Sequence, residues 1–112
     1  RSIEFPVPFT TDHIAAGAAG AASVVTLAAD ADRVHIISQI HFSYSAAPTG
    51  GAVTIEDGAG TVVFRVDVTA AGPGEIPLDP PRSGTRNTAM VITLAAPGGA
   101  VQGRLNVNAR RE

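Results

Sequence analysis

The chain has 112 residues, of which 45% are hydrophobic and 16% are charged, and it carries a formal net charge of -2 and no cysteine. This length and composition are typical of one globular domain, and they exclude disulfide staples, cysteine-ligated zinc and a thiolate nucleophile. The small net charge, with all eight basic residues arginine, disfavours nucleic acid and anionic membrane as partners.

Residues 1–22 are predicted to form an extended N-terminal arm followed by an Ala/Gly-rich loop. Ser2–Asp12 contains two prolines and reads as the arm. Phe5 and Phe9 are too apolar to stay in water, so we expect them to pack either on their own sandwich or on a neighbouring subunit. Ala15–Ala22 is predicted to be a loop, because its two glycines disfavour a helix.

The start of the chain lacks the apolar run of a signal peptide, and no segment reaches the ~18 apolar residues of a membrane span. We therefore expect folding in a cytoplasm. The chain begins with Arg1 and not with Met, which leaves a processed leader open.

Residues 23–112 are predicted to form one all-β domain, because apolar and polar residues alternate and Gly- and Pro-rich turns separate the runs. Such short strands indicate a sandwich or a barrel. In the longest run the even positions, from Val34 to Tyr44, are expected to face the core and the odd positions to face solvent. Strands are predicted at Ser23–Ala28, Arg33–Tyr44, around Val53 and Ile55, at Thr61–Thr69, Thr88–Ala95 and Val101–Val107, with a weaker extended piece at Glu75–Leu78.

One tight hairpin is predicted between Glu56 and Thr61, where the sequence reads Asp-Gly-Ala-Gly. Glycine supplies the positive φ that such turns need. Pairing Glu56 with Thr61 places Ile55 opposite Val62, so that the apolar faces of the two strands coincide.

The histidines are the first candidates for chemistry. His35 and His41 are predicted to share the outer face of one strand, but six residues of strand separate their Cα atoms by about 20 Å. One metal ion cannot bridge that distance, and nothing links His13 to either. All three are therefore interpreted as solvated or interface histidines.

The remaining polar residues also lack a catalytic pattern. Asp30 and Asp32 have a spacing seen in calcium loops, but alanines surround them and the solvated turn is the favoured interpretation. No serine lies in a Gly-x-Ser-x-Gly elbow. We expect neither an enzyme nor a cofactor. Arg82 and Arg86, in a Pro/Gly-rich loop predicted at residues 80–87, are candidate contacts to an acidic partner surface, with solvated charge as the alternative.

Four segments resemble small β-sandwich virion proteins of tailed bacteriophages. They read FSYSAAPTGG, TIEDGAGTVVF, DVTAAGPGEIPL and TLAAPGGAVQGRLNV, and the likeness covers about Val24–Val107. The resemblance implies a single antiparallel, jelly-roll-like β-sandwich of about seven to eight short strands. It also implies a capsid decoration or cement protein, often trimeric and without enzymatic activity.

Two functions from different classes follow. The first is a structural virion protein that binds itself, with a trimer favoured, and a major capsid or other virion protein. Its location would be the virion, after assembly in the host bacterial cytoplasm, and its candidate interface residues are Phe5, Phe9, Arg82 and Arg86. The alternative is a receptor- or carbohydrate-binding module of a tail fibre or spike. The chain has no tryptophan and Tyr44 aligns with a core face, which leaves this alternative second.

Overall fold

The computed structural model describes residues 11–58 and 60–112, and every regular element in that part of the chain is a β-strand. The strands form two antiparallel sheets, sheet A with the order β1-β8-β3-β6 and sheet B with the order β2-β7-β4-β5. The predicted all-β sandwich is confirmed. The strands are β1 (Thr11–Ala16), β2 (Ser23–Leu27), β3 (His35–Tyr44), β4 (Gly51–Asp57), β5 (Val62–Val68), β6 (Gly72–Ser83), β7 (Met90–Leu94) and β8 (Gly103–Arg111).

The connectivity is that of one long hairpin rolled up on itself. Strands β1 and β8, β2 and β7, β3 and β6, and β4 and β5 are antiparallel neighbours. Two further pairings, β3 with β8 and β4 with β7, join these ribbons into the two sheets. Eight strands in two such sheets make a jelly-roll-like sandwich.

The core between the sheets consists mainly of aliphatic side chains, as the low aromatic content predicts. Among the described residues, Tyr44 is the buried aromatic, while Phe42 and Phe64 pack at the margin. The other members of the cluster are Val25, Leu27, Ile37, Ile40, Val53, Ile55, Leu78, Met90, Ile92, Leu94, Leu105, Val107 and Ala109. Burial alternates residue by residue along β2, β7 and β8, so each of these strands has one buried face.

The predicted facing of β3 holds only for its second half. Ile40 and Tyr44 are buried as expected, but at the start of the strand His35 and Ile37 are the buried residues. The cause is a β-bulge between Ile37 and Gln39, where one extra residue shifts the alternation. A period-two reading of the sequence cannot detect such an insertion.

The predicted hairpin between β4 and β5 is present, but its register differs from the prediction. Ile55 pairs with Phe64 and not with Val62, and Glu56 pairs with Val62 and not with Thr61. The cause is an irregularity between Ile55 and Glu56. The displacement at Ile55 is two residues, an even number, so the apolar faces still coincide.

Two elements differ from the sequence prediction in extent. The weak piece at Glu75–Leu78 belongs to the 12-residue strand β6, which carries four prolines and extends through residues 80–83, predicted as the start of a loop. Proline is tolerated there because β6 is an edge strand, whose outer N–H groups need no partner. Strand β1 covers residues assigned to the arm and loop of residues 1–22, so the described sandwich begins at Thr11 and not at Ser23. Within the described residues, no helix has the length and apolar character to cross a membrane.

Candidate functional site

The sandwich is open along one side, where the edge strands β5 and β6 of the two sheets face each other. Val53 and Ile55 of β4 are fully buried, and they pair with Val66 and Phe64 of β5. Val66 is nevertheless 38% exposed, and Val62, on the same face, is 53% exposed. Strand β6 therefore does not cover the inner face of β5.

The gap between these edges is a cleft of about 520 Å³. Strand β5 contributes Phe64 to its lining, and β6 contributes the rest. The β6 residues are Ile76, Pro77, Leu78, Pro80, Pro81, Arg82 and Ser83. The lining is thus mostly apolar, with one permanent positive charge at its rim.

Arg82 spans the mouth of this cleft. Its guanidinium carbon lies 5.6 Å from the centroid of the Phe64 ring, which is the geometry of a cation–π contact. The exposed Arg82 belongs to sheet A and Phe64 to sheet B, so this contact links the two sheets at the open edge. The structure places the predicted interface residue Arg82 here, and its contact with a partner stays a prediction.

Arg86 lies in a different setting. Its guanidinium donates a hydrogen bond to the backbone carbonyl of Asp32, which ties the β6–β7 loop to the β2–β3 loop. The same loop is held by Asp57, whose carboxylate accepts bonds from the N–H and the hydroxyl of Thr85 at 3.0 and 2.6 Å. Arg86 therefore has a structural contact of its own. Phe5 and Phe9, the other two predicted interface residues, lie outside the described part of the chain.

The outer face of β5 is also unusual for an exposed sheet face. Val63 is 40% exposed, and the next two outward residues are Arg65 and Asp67, an ion pair at 3.7 Å.

The backbone edge of β5 is also free, since on its far side β5 has no neighbouring strand among the described residues. Val62–Val68 contains no proline, so its free backbone groups are open to pairing with another strand.

The three histidines lie in three separate environments. His13 is half-buried on β1, while His41 lies on the outer face of sheet A with its Nδ1 atom 4.0 Å from a Glu75 carboxylate oxygen. The interpretation of His35 as solvated is wrong, because its side chain is buried and its Nε2 atom lies 2.6 Å from the carbonyl oxygen of Ala28. The bulge in β3 thus places His35 and His41 on opposite faces of the sheet.

The Asp30–Asp32 turn forms ion pairs with the protein's own arginines. The Asp30 carboxylate accepts a hydrogen bond from Arg111 Nη1 at 2.6 Å and lies 4.0 Å from Arg33. In the ranges 11–58 and 60–112, no three His, Cys, Asp or Glu side chains are grouped as metal ligands would be. The turn serves to fasten the end of β8.

Tyr44 is buried between the sheets, as the alternation of β3 predicts. Its hydroxyl donates a hydrogen bond to the carbonyl of Ala95 at 2.8 Å. Burial raises the pKa of the phenol above its usual value of 10.0, and a backbone hydrogen bond with Ala52 opposes part of that rise. The ring is not accessible as a platform for a ligand.

A second concavity lies on the outer face of sheet A. It is a shallow hollow of about 280 Å³ lined by Ile14, His41, Asn106 and Asn108. The side chains of His41, Asn106 and Ile14 are brought together because their strands align in register, with Asn106 paired to both of the others. Ile14 is 75% exposed, so the hollow combines amide groups with one aliphatic side chain.

No protein-family model and no curated protein matches the chain. Among solved structures, a chain of the acid-stable capsid of Helicobacter pylori bacteriophage KHP30 is similar, with 14% identity, a TM-score of 0.51 and coverage of 93% of this chain and 91% of that one. A chain from Bacillus endospore appendages, described as disulfide-linked pili, is similar at 11% identity with a TM-score of 0.49, covering 98% and 95%. A chitosan-binding module from a Paenibacillus chitosanase/glucanase is similar at 12% identity with a TM-score of 0.45, covering 84% and 74%. At such identities the likeness shows the fold alone.

The alternation along Thr61–Thr69 is that of an ordinary half-buried strand, in which Val62, Phe64 and Val66 would face the core, so the open edge was not predicted. One signal was present in the sequence. The run Val62-Val63-Phe64 places apolar side chains on both faces of a strand, which a strand with one wet face does not need.

Proposed function

We propose that the protein is a structural component of a virus particle, and specifically a capsid decoration protein of a bacteriophage. The observation that carries the proposal is the open β5–β6 edge, where Val62, Val63 and Val66 are exposed on one strand. Exposed apolar residues contiguous along an edge strand mark an interaction surface. The phage-capsid chain of the same fold and the resemblance in the four sequence segments add support.

The energetics of this edge favour association. The three exposed valines together leave more than one valine side chain's worth of surface in water, and covering it recovers on the order of 2 kcal/mol. That gain alone is too small for a stable complex of two proteins. In a shell, however, several weak contacts of one oligomer add through effective concentration, which is how a decoration protein clamps neighbouring subunits.

We also propose that the chain has no catalytic activity. His35 is buried against the carbonyl of Ala28 and His41 lies beside Glu75 on the opposite face, so the two histidines do not act together and neither contacts a hydroxyl nucleophile among the described residues. A screen for hydrolase activity should give background rates. Activity that disappears in a His41→Ala variant would contradict this part of the proposal.

The experiment is co-sedimentation with particles. Virus particles from the source culture are banded by density, heads and tails are separated, and the chain is quantified by mass spectrometry. We expect the chain in the head fraction at a constant ratio to the shell protein. Its absence from the particle band would refute the proposal, and its presence in tails alone would support the alternative of a fibre or spike component.

A matched pair of variants tests the role of the open edge. Purified chain is added to heads that lack it, as wild type, as Val66→Asp and as Val24→Asp. Val24 is an exposed valine on the edge strand β2 at the far side of sheet B, so it controls for the added charge. We expect Val66→Asp to lose binding and Val24→Asp to keep it; equal binding of both variants would remove the open edge from the proposal.

The runner-up is carbohydrate binding in the hollow on sheet A. The observation in its favour is the pair Asn106 and Asn108 beside His41, because amide and imidazole groups hydrogen-bond hydroxyls. A glycan-array signal that Asn106→Ala abolishes would establish it and displace the structural proposal.

A further inference from the structure

We propose that β5 pairs with β5 of a second copy of this chain, antiparallel, across a two-fold axis at Val66. This inference rests on the proposed function only in taking the open edge as the interaction surface, and it names the partner that binds there. Strand β5 is a seven-residue edge strand without proline, whereas the facing edge strand β6 carries four. Extension by a further strand is therefore available to sheet B at β5 and obstructed in sheet A at β6.

The charges on β5 select the register. Residues directly opposite each other in an antiparallel pair point to the same face, and successive residues of one strand point to opposite faces. A two-fold axis perpendicular to the sheet must therefore pass at a residue and not between two residues. With the axis at Val66, Arg65 lies opposite the partner's Asp67, and Asp67 lies opposite the partner's Arg65. With the axis one residue away, Arg65 or Asp67 would face its own copy. The strand is thus self-complementary in charge at Val66.

The same register matches the apolar residues of the inner face. Val66 meets its own copy, and Phe64 lies opposite the partner's Val68. A two-fold axis perpendicular to sheet B keeps both copies of sheet A on one side. The two clefts then open toward each other over a shared apolar floor, and the half-exposed Val66 gains a lateral contact with its own copy.

A two-fold contact of this kind closes on itself, since the same edge is used by both copies. It gives a dimer joined through an eight-stranded sheet B, in place of the trimer that the sequence resemblance implies. The contact also removes the aggregation hazard of a free edge. Native mass therefore distinguishes the two arrangements directly.

The first test is the solution mass and its response to charge reversal, measured by sedimentation equilibrium at low salt. Wild type is expected to be a dimer. Arg65→Asp and Asp67→Arg are each expected to weaken the dimer about tenfold or more, because each substitution acts twice across the axis. The double variant, which exchanges the two charges, is expected to restore it. Arg104→Asp reverses an exposed arginine on β8 and should leave the mass unchanged.

The second test reads the register without relying on charge. The chain contains no cysteine, so a single introduced cysteine reports one contact. Val66→Cys places two sulfurs opposite each other with Cβ atoms about 5 Å apart, and it is expected to form a disulfide-linked dimer under mild oxidation. Val62→Cys, on the same face, lies about 26 Å from its copy and should not.

Several outcomes would overturn the inference: a monomeric wild type, a mass of three chains, a dimer indifferent to Arg65→Asp, or equal cross-linking of both cysteine variants. Circular dichroism and thermal melting establish that each variant is folded, so that loss of the dimer is read from native protein. The proposed function fails separately. A dimer that is absent from virus particles refutes the virion role alone, and a monomer that binds heads refutes the β5 pairing alone.

Discussion

Replacing Ser23 by alanine should destabilise the domain strongly, although the substitution removes only one hydroxyl group. Ser23 is 2% exposed, and its hydroxyl both accepts and donates a hydrogen bond. It accepts the N–H of Gly17 and donates to the carbonyl of Gly103, each at 3.0 Å. The side chain thereby joins the β1–β2 loop, sheet B and sheet A at one point.

The expected magnitude follows from what the substitution leaves behind. The N–H of Gly17 and the carbonyl of Gly103 both lose this partner, and a buried polar group without a partner costs about 1–3 kcal/mol. We expect Ser23→Ala to lower the free energy of unfolding by roughly 2–4 kcal/mol. At about 4 °C per kcal/mol for a domain of this size, the midpoint should fall by about 10 °C.

Urea titration followed by circular dichroism measures this loss, and Thr26→Ala is the matched control. Thr26 is exposed on the same strand, so its truncation should change stability by no more than about 0.5 kcal/mol. If Ser23→Ala loses no more than Thr26→Ala, the hydroxyl does not hold the two backbone groups and the reasoning is refuted.

Three further predictions concern single residues. Since burial raises the pKa of Tyr44 above 10.0 in the folded state, its contribution to folding stability should be intact below pH 10 and be lost as pH rises through the folded pKa. Phenolate absorbance reads this out directly, because the chain has one tyrosine. Tyr44→Phe should abolish the dependence. Gly103→Ala should cost about 1–3 kcal/mol by denaturant titration, because a Cβ there would lie 2.9 Å from Leu94, and a neutral result would mean that the core yields. Gly58→Ala should cost about 1–2 kcal/mol in the same assay, because Gly58 has a φ of +82°, whereas Ala would be tolerated if the turn changed type.

The elements that sequence reasoning found are those with a clean alternation and a single buried face. Strand β8 is an example, since Leu105 and Val107 are fully buried and Arg104 and Asn106 between and beside them are exposed. Strand β1 was not predicted because it has one large apolar side chain, Ile14, which points outward. Such a strand is held by pairing with β8, which no local pattern records.

The candidate site depends on information of the same non-local kind. Val66 follows the alternation of a core residue. Only the strand order shows that β5 is an edge strand, and that its inner face is not covered by β6. Arg82 was singled out as an interface residue from composition, but its position over Phe64 follows from how the two sheets meet. The misassigned face of His35 shows the third limit, because one inserted residue at a bulge reverses every side chain before it.

The rolled hairpin has a consequence for how the protein is made. Of the eight described strands, β1 is synthesised first and β8 last, yet the two are hydrogen-bonded neighbours, and β8 also separates β1 from β3 within sheet A. On the ribosome, β1 therefore has no strand of sheet A to pair with until the residues of β8 emerge. Sheet B meets the same requirement earlier, when β7 arrives between β2 and β4. Folding should consequently be late, cooperative and slow for its size, with the nascent chain exposed to chaperones until β8 has emerged.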